Sequence, residues 1–303
     1  MIDRVCISIT SACQLNCRYC HFDKHICKNN IKIFSDKELE TILLNLYNYA
    51  KQNQHIIKIG IVGSGEPLLC FGKIRKMIED VDIVDKENLL TFYTISNGVC
   101  FTKEMGNFFL KYHNRIKLCF SLDGYQEIHD MCRIKKNGDG SFVEVMHSID
   151  MYKVIFGSAP AINATVHRQT LKNAEKVIDF FKQNFSEVTF SRLVDEVDSH
   201  FFITKVEFNE FLNIARKNRL SLRQFGVKKY DCTMYGQLCG VGRTNVYLDN
   251  GKVYPCGRFI GRDNYVLGNA TDSFNTIECY MNTHIFPCCD GMCYYDDVLK
   301  GEI

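Results

Sequence analysis

Three cysteines near the amino end, Cys13, Cys17 and Cys20, stand in the spacing C-x3-C-x2-C. They follow residues 5–10, a short apolar run that predicts a buried strand. Three thiolates in one loop can hold one side of a compact metal centre. A [4Fe–4S] cube takes one ligand per iron, so three cysteines leave one iron open to a small molecule.

Cysteine is unusually common in this chain, with 16 among 303 residues. Residues 1–4 lack the charged-then-apolar layout of a secretion signal, so we expect a cytoplasmic protein with reduced thiols. Metal ligation is then favoured over disulfides. Structural zinc prefers four protein ligands, and Cys6 or Cys27 could complete such a set. A zinc-binding scaffold without enzymatic activity therefore remains an alternative.

Composition excludes several other classes of protein. The chain is 46% hydrophobic and 24% charged, which is ordinary for a globular protein, and its formal net charge is +2. That charge offers no strong field for nucleic acid or for membrane lipid. No run of about 18 apolar residues is present. We therefore expect neither a nucleic-acid partner nor a membrane span.

Apolar strand patterns alternate with helical patterns through the first 200 residues. Six such units predict an α/β fold with a parallel sheet, either a partial (β/α)6 barrel or a doubly wound sheet. Ligands of both folds bind at the carboxyl ends of the strands. The pattern predicts this α/β region over 1–200, a bridging helix within 201–229, and a cysteine-rich region over 230–303.

The first cluster resembles the signature of the radical S-adenosylmethionine (radical SAM) superfamily, CxxxCxΦC, in which Tyr19 is the aromatic residue before Cys20. The resemblance implies a partial (β/α)6 barrel and a [4Fe–4S] cluster whose open iron binds S-adenosylmethionine. One electron then cleaves the sulfonium to give a 5′-deoxyadenosyl radical, which takes a hydrogen atom from the substrate. The cofactors supply this chemistry, and the protein positions and shields them.

Motifs at successive strand ends extend the resemblance. Residues 63–67 (GSGEP) look like the family's "GGE" loop, with Ser64 in place of a glycine, and residues 96–98 (SNG) resemble its third-strand motif. Residues 121–124 (SLDG) and 129–142 resemble the peptide and sulfatase maturases. The resemblance assigns cofactor contacts to Tyr19, Gly63, Ser64, Gly65, Glu66, Asn97, Ser121, Asp123 and Arg133. Arg133 would pair with the methionine carboxylate, in a fork geometry that lysine lacks.

The cysteines of the last 75 residues resemble part of an auxiliary-cluster (SPASM/twitch) domain. Cys239 and Cys256 flank Asn250-Gly251, a hairpin turn signal that would bring the two cysteines together. Several cysteines of a full SPASM domain are missing, so we expect one auxiliary [4Fe–4S] cluster or, alternatively, a zinc ribbon. The expected ligands are Cys239, Cys256 and Cys293, with Cys232 as the fourth and Cys289 or Cys288 as its alternatives.

The resemblance predicts a radical SAM enzyme that modifies a ribosomally made peptide by crosslinking, epimerisation or oxidation. A flavodoxin or ferredoxin would donate the electron. Cys119 shares a strand face with Ser121 and could donate a hydrogen atom to a substrate radical. The alternative is a dehydrogenase or epimerase of a small-molecule substrate, an alcohol or aminosugar. The early position of Cys13 favours this alternative. A peptide-modifying enzyme would usually have a leader-binding module ahead of the barrel, and the residues before Cys13 are too few for one.

Overall fold

The computed structural model describes residues 1–22, 33–193, 200–222, 231–232, 237–238, 240–283 and 295. In these ranges the strands are β1 (Arg4–Ser8), β2 (Ile57–Ile61), β3 (Leu90–Ser96), β4 (Ile116–Ser121), β5 (Ala161–Val166), β6 (Val188–Arg192), β7 (Asp231–Cys232), β8 (Gln237–Leu238), β9 (Asn245–Asp249), β10 (Lys252–Tyr254) and β11 (Gly268–Asn269). The helices are α1 (Asp36–Asn53), α2 (Phe71–Val84), α3 (Lys103–Lys111), α4 (Gln126–Cys132), α5 (Phe142–Phe156), α6 (Arg168–Lys172), α7 (Ala174–Asn184), α8 (Lys205–Lys217) and α9 (Phe274–Thr283).

Local sequence signals explain where the long helices begin. Ser35 caps α1 in a capping box, because its hydroxyl accepts from the Glu38 N–H while the Glu38 carboxylate accepts from the Ser35 backbone. Thr204 and Glu207 form the same arrangement at the start of α8. None of the helices in the described part of the chain is long and apolar enough to cross a membrane.

Strands β1 to β6 lie side by side in chain order, and every neighbouring pair is parallel. Burial alternates along them: in β5, Ile162, Ala164 and Val166 are buried, whereas Asn163 and Thr165 are partly exposed. A doubly wound sheet buries both faces under helices. Here one face of β5 is buried and the other stays polar and partly open, which is the arrangement of a partial barrel.

The hairpin of β9 and β10 belongs to the same sheet as the barrel strands. β9 is parallel to β1, and β10 returns antiparallel to β9. The predicted turn is present, since Asn250 has φ 49° and Gly251 has φ 75°, the left-handed values that such a two-residue hairpin requires. The predicted auxiliary region is therefore hydrogen-bonded to the edge strand of the barrel.

We expect Leu248→Ala to destabilise the barrel and not only the carboxyl-terminal region. Leu248 is fully buried in β9, and β9 is bonded directly to β1. Removing a buried leucine costs about 2–5 kcal/mol. Urea unfolding followed by the far-ultraviolet signal of the helices should show this loss.

Leu44→Ala is the matched control, because Leu44 lies on an exposed part of α1 and its loss should cost less than about 0.5 kcal/mol. An unchanged midpoint for Leu248→Ala would mean that the hairpin is energetically separate from the barrel.

Candidate active site

The loop after β1 carries the first three cysteines and lies against the segment that follows α4. The Asn16 N–H donates to the Ile134 carbonyl at 2.7 Å, and the Arg18 N–H donates to the Cys132 carbonyl at 2.9 Å. These bonds bring the loop to residues 132–134, the segment that contains Arg133. The cysteine motif and the arginine of the maturase-like motif are therefore joined through the backbone.

The thiols of Cys13, Cys17 and Cys20 are partly buried and lie near one another. Burial is the largest cause that raises the pKa of Cys13 to about 11 and that of Cys17 to about 12, and the neighbouring thiols contribute to both values. As free groups these two thiols are protonated near neutral pH, so only a bound cationic centre would keep them as thiolates. In the described ranges, no three His, Cys, Asp or Glu side chains are placed to hold a metal ion.

A side-chain amide contacts the first cysteine. Asn97 donates from Nδ2 to the Cys13 sulfur at 3.7 Å, and Gln14 donates from Nε2 to Asn97 Oδ1 at 3.1 Å. The other amide oxygen, Gln14 Oε1, is buried without a hydrogen-bond partner. A donor to a ligating sulfur is typical of the surroundings of metal-bound thiolates. These contacts fit a cluster at Cys13.

The loop after β2 lies in backbone contact with the cysteine loop. A Cβ at Gly65 would lie 2.4 Å from the Ala12 carbonyl oxygen and 2.6 Å from that of Thr10, so only glycine fits. The Glu66 N–H donates to the Ala12 carbonyl at 2.7 Å. The carbonyls of Gly63, Ser64 and Gly65 accept no hydrogen bond from the described residues. This leaves a row of acceptors beside the cysteines, which fits an ammonium group.

Glu66 joins this loop to the end of β3. Its Oε1 accepts from the Ser96 hydroxyl at 2.8 Å and from the Leu68 N–H at 3.0 Å, and its Oε2 accepts from the Asn97 N–H at 2.7 Å. The carboxylate is almost fully buried, and burial raises its pKa against the effect of these donors. Most of the hydrogen bonds that the Glu66 carboxylate can accept therefore come from the protein itself.

Asp123, after β4, is the centre of a buried ion pair. Its Oδ2 accepts from Arg133 Nε at 3.0 Å and from the Tyr19 hydroxyl, and its Oδ1 accepts from the Thr165 N–H at 2.9 Å. Burial raises the pKa of Asp123, but the Arg133 guanidinium and the hydrogen bonds from Tyr19 and the Thr165 N–H together outweigh burial and hold the pKa below its usual range. Arg133 makes no hydrogen bond through its two Nη atoms within the described chain. They fit a carboxylate ligand.

His129 is hydrogen-bonded to the backbone of Asp123 and, through Ser141, to the backbone of Arg133. Its Nδ1 accepts from the Asp123 N–H at 3.4 Å, so Nε2 carries the proton and donates to the Ser141 hydroxyl at 3.0 Å. Ser141 then donates to the Arg133 carbonyl at 2.7 Å. Each group in this chain has one consistent role only while the imidazole is neutral. Burial lowers the pKa of His129 to about 3, which keeps it neutral.

Two further predicted site residues lie on the open face of β4. Cys119 and Ser121 alternate with Leu118 and Phe120, whose side chains belong to the core under the helices. The predicted shared face of Cys119 and Ser121 is thus present. The Ser121 hydroxyl makes no hydrogen bond with the described residues, although the residue is largely buried.

Of the predicted auxiliary ligands, Cys239, Cys288, Cys289 and Cys293 lie outside the described residues. Cys232 ends the short strand β7, with only its backbone described. Cys256 is partly buried and packs against the core. Two residues later, the Arg258 carbonyl bonds with Nε2 of His21 at 3.0 Å, which joins the Cys256 segment to the first cysteine loop.

Several residues of the site were not found from the sequence. Gln14 and Thr165 touch predicted site residues but were given no role by the family motifs quoted above, and Ser96 lies in the quoted SNG motif, which assigned a contact only to Asn97. The Ser96 hydroxyl and the Thr165 N–H each satisfy one buried carboxylate, Glu66 and Asp123 respectively. Their strand-end positions were a usable signal, since such residues face the site of a parallel sheet.

The lowered pKa of His129 predicts a loss of stability in acid. In the unfolded chain His129 has a pKa of about 6.5. In the folded chain its pKa is about 3, so it binds a proton only at much lower pH. Its contribution is therefore complete above pH ~6.5 and is lost as the pH falls toward 3, by at most about 1.4 kcal/mol per unit. Urea unfolding at decreasing pH should show a weaker dependence for His129→Gln.

The exposed His113 provides the control, because His113→Gln should keep the pH dependence of the wild-type chain. Equal slopes for His129→Gln and the wild type between pH 6.5 and 5 would contradict a neutral buried imidazole.

Comparisons with known proteins agree with this geometry. The family model of the radical SAM superfamily matches residues 7–181. The cysteine-type anaerobic sulfatase-maturating enzyme of Clostridium novyi (strain NT) is 31% identical over 291 residues, which cover 86% of this chain and 74% of that protein. The serine-type anaerobic sulfatase-maturating enzyme of Bacteroides thetaiotaomicron is 25% identical over 305 residues, a match that covers 86% of this chain and 70% of that protein.

A solved structure shares the fold. Native anSMEcpe with bound AdoMet and Cp18Cys peptide superposes with a TM-score of 0.73 at 21% identity, over 91% of this chain and 80% of that one. This likeness confirms the predicted partial barrel. Together with the family model and the Clostridium novyi relative, it establishes that the chain belongs to the radical SAM superfamily, in the SPASM/twitch subgroup of maturases.

Proposed function

We propose that this chain removes a hydrogen atom from a cysteine or serine residue of a peptide and thereby starts the oxidation of that side chain. The similarity to the cysteine-type sulfatase-maturating enzyme, 31% over 86% of the chain, is the observation that carries the proposal. Oxidation is favoured over epimerisation or crosslinking because both named types of relative are maturases of a cysteine or a serine.

S-adenosylmethionine and a [4Fe–4S] cluster with an open iron are the cofactors of the superfamily, and the maturase subgroup adds an auxiliary [4Fe–4S] cluster. When bound, the first cluster would supply the electron for cleavage of S-adenosylmethionine. Cys13, Cys17 and Cys20 would ligate it, and the Asn97 amide would donate to the Cys13 sulfur, as it does in the structure.

The methionine part of S-adenosylmethionine has two charged groups, and the site offers a partner for each. The ammonium would donate to the carbonyls of residues 63–65, which accept no hydrogen bond from the described part of the chain. The carboxylate would accept from the two Nη atoms of Arg133, whose Nε is held by Asp123. The Ser121 hydroxyl, without a partner among the described residues, would contact the ribose. Asp123 and Tyr19 would act mainly by fixing Arg133.

The peptide would enter the open face of the barrel, toward Cys119, Ser121, Asn163 and Thr165. Quenching by a thiol such as Cys119 gives epimerisation, whereas oxidation needs an electron acceptor. The auxiliary cluster would accept that electron, with Cys232, Cys239, Cys256 and Cys293 as proposed ligands and Cys289 as an alternative. Under this proposal Cys119 packs beside the substrate, and Cys119→Ala leaves oxidation intact.

The other partner would be a reduced flavodoxin or ferredoxin, the electron source inferred for the first cluster. A reducing cytoplasm would keep the many thiols of the chain available for cluster ligation.

The test is anaerobic incubation of reconstituted enzyme with S-adenosylmethionine, a reductant and synthetic peptides that carry one central cysteine or serine. Mass spectrometry should detect an oxidised side chain and 5′-deoxyadenosine in equal amounts. A peptide with alanine at the central position controls for uncoupled cleavage, and Cys17→Ala controls for the cluster.

Other products would overturn the oxidation step in distinct ways. Deuterium at an α-carbon after reaction in heavy water, lost in Cys119→Ala, would mean epimerisation. A loss of two hydrogens with a new covalent link would mean crosslinking. Oxidation of small alcohols or aminosugars, with every peptide unchanged, would favour the small-molecule alternative.

We expect Gly65→Ala to weaken binding of S-adenosylmethionine by about tenfold or more, which corresponds to about 1.4 kcal/mol. The added methyl group collides with the backbone oxygens of Ala12 and Thr10, so the loop and its carbonyls must shift. Equilibrium dialysis on the reconstituted enzyme measures the change.

Gly72→Ala is the matched control, since a Cβ at Gly72 meets nothing within 4 Å. Equal affinities of Gly65→Ala and the wild type would show that this loop does not bind the methionine ammonium.

A further inference from the structure

We propose that Asp249, in the carboxyl-terminal hairpin, is a positioning residue for the loop of residues 63–65 and that it acts through Ser64. The inference rests on the proposed function, in which the carbonyls of this loop bind the methionine ammonium of S-adenosylmethionine. It adds a residue that lies far away in the sequence and that no family motif quoted above includes.

Asp249 ends β9 and is paired in register with Ser8 at the end of β1. The Ser64 hydroxyl donates to Asp249 Oδ2 at 2.9 Å and lies 2.7 Å from the Ser8 hydroxyl. The Ser64 N–H also donates to the Ser8 hydroxyl, at 3.0 Å. All three side chains are buried, with at most 9% of each residue exposed.

The protons of these groups have a single arrangement. A carboxylate has no proton to give, so the Ser64 hydroxyl donates to Asp249. Since Ser64 has only one hydroxyl proton, the Ser8 hydroxyl must donate to Ser64 while it accepts from the Ser64 N–H. The Ser64 hydroxyl therefore donates to Asp249 and accepts from Ser8, so it is held by β1 and β9. A hydrogen bond to an ionised acceptor is one of the stronger kinds, which suits a positioning role.

A second side chain of β9 holds the same loop. Tyr247 lies two residues before Asp249, on the same strand face, and its hydroxyl donates to the Val62 carbonyl at 2.8 Å. β9 thus bonds to residues on both sides of Gly63. A Cβ at Gly63 would lie 2.4 Å from the Ser8 Cβ, so the loop packs closely on β1 as well.

Ser64 is what makes this link possible. A glycine at this position, as in the family motif, has no hydroxyl and leaves Asp249 without this donor. The hairpin that holds the loop also leads directly to Cys256, two residues after β10. In this chain, the segment of a proposed auxiliary ligand is therefore bonded to the loop proposed to bind S-adenosylmethionine.

The test compares Asp249→Ala, Asp249→Asn and Ser64→Ala, with Ser64→Gly as a second background. Asp249→Ala and Ser64→Ala each remove the bond and should raise the KM for S-adenosylmethionine about fivefold, with kcat changed less than twofold. Asp249→Asn retains an acceptor oxygen and should stay within twofold of the wild type. Formation of 5′-deoxyadenosine and equilibrium dialysis of S-adenosylmethionine give the two readouts.

The Ser64→Gly background tests the route of the effect. If Asp249 acts through Ser64, then Asp249→Ala should change the KM no further in Ser64→Gly. Asp263→Ala is the matched control, because Asp263 follows the same hairpin, is exposed, and pairs with Lys252. If Asp249→Ala fails to fold, Ser64→Ala removes the same bond from the other side.

Each outcome decides the inference. An equal effect of Asp249→Ala in both backgrounds, or an Asp249→Asn variant as impaired as Asp249→Ala, would overturn it. A raised KM in Gly65→Ala with no change in Asp249→Ala and Ser64→Ala would overturn this inference alone. An unchanged KM in Gly65→Ala would instead overturn the proposed role of the loop.

Discussion

The contact between the cysteine loop and the loop after β2 is the constraint on which the site depends. At Gly65 the two backbones are too close for any side chain, because a Cβ would lie 2.4 Å from a carbonyl oxygen. This contact brings the three thiols next to the carbonyls of residues 63–65, which are without a hydrogen-bond donor among the described residues. Glu66 then extends the arrangement to β3, since its carboxylate accepts from Ser96 and Asn97. Neighbouring strand ends are thereby held in one rigid rim.

On the opposite side of the rim, the ion pair of Asp123 and Arg133 fixes the structure. Asp123 and Arg133 are both largely buried, and a buried ion pair is favourable only when its remaining hydrogen-bonding groups are satisfied. Tyr19 and Thr165 satisfy the carboxylate, while the neutral His129 and Ser141 fix the backbone of both members. Arg133 is left with a guanidinium that is oriented in advance, and preorganisation of this kind lowers the cost of binding a carboxylate.

The hairpin of β9 and β10 connects this rim to Cys256. It adds to the barrel sheet at β1, the strand that leads into the cysteine loop. The segment after Cys256 also contacts that loop, where His21 bonds to the Arg258 carbonyl. The first cysteine loop and the Cys256 segment are therefore joined both through the sheet and through this hydrogen bond.

Local patterns in the sequence were enough to predict most of the barrel. The spacing of Cys13, Cys17 and Cys20 indicated the cluster, and the alternation of strand and helix patterns indicated the six parallel strands, because both signals are read from residues close together in the chain. The short helices α4 and α6 were not predicted, since seven and five residues hold too few turns for a helical period to appear.

The sequence by itself determined the element order, the thiol motif and the strand ends that carry polar residues. Only the tertiary structure decided that one face of the sheet is open, that β9 pairs with β1, and that Asp249 reaches Ser64. Those features join residues far apart in the chain, 185 positions in the case of Ser64 and Asp249, and no local periodicity reports which distant surfaces pack together. They follow from the burial of one apolar face and from the need to pair every buried polar group.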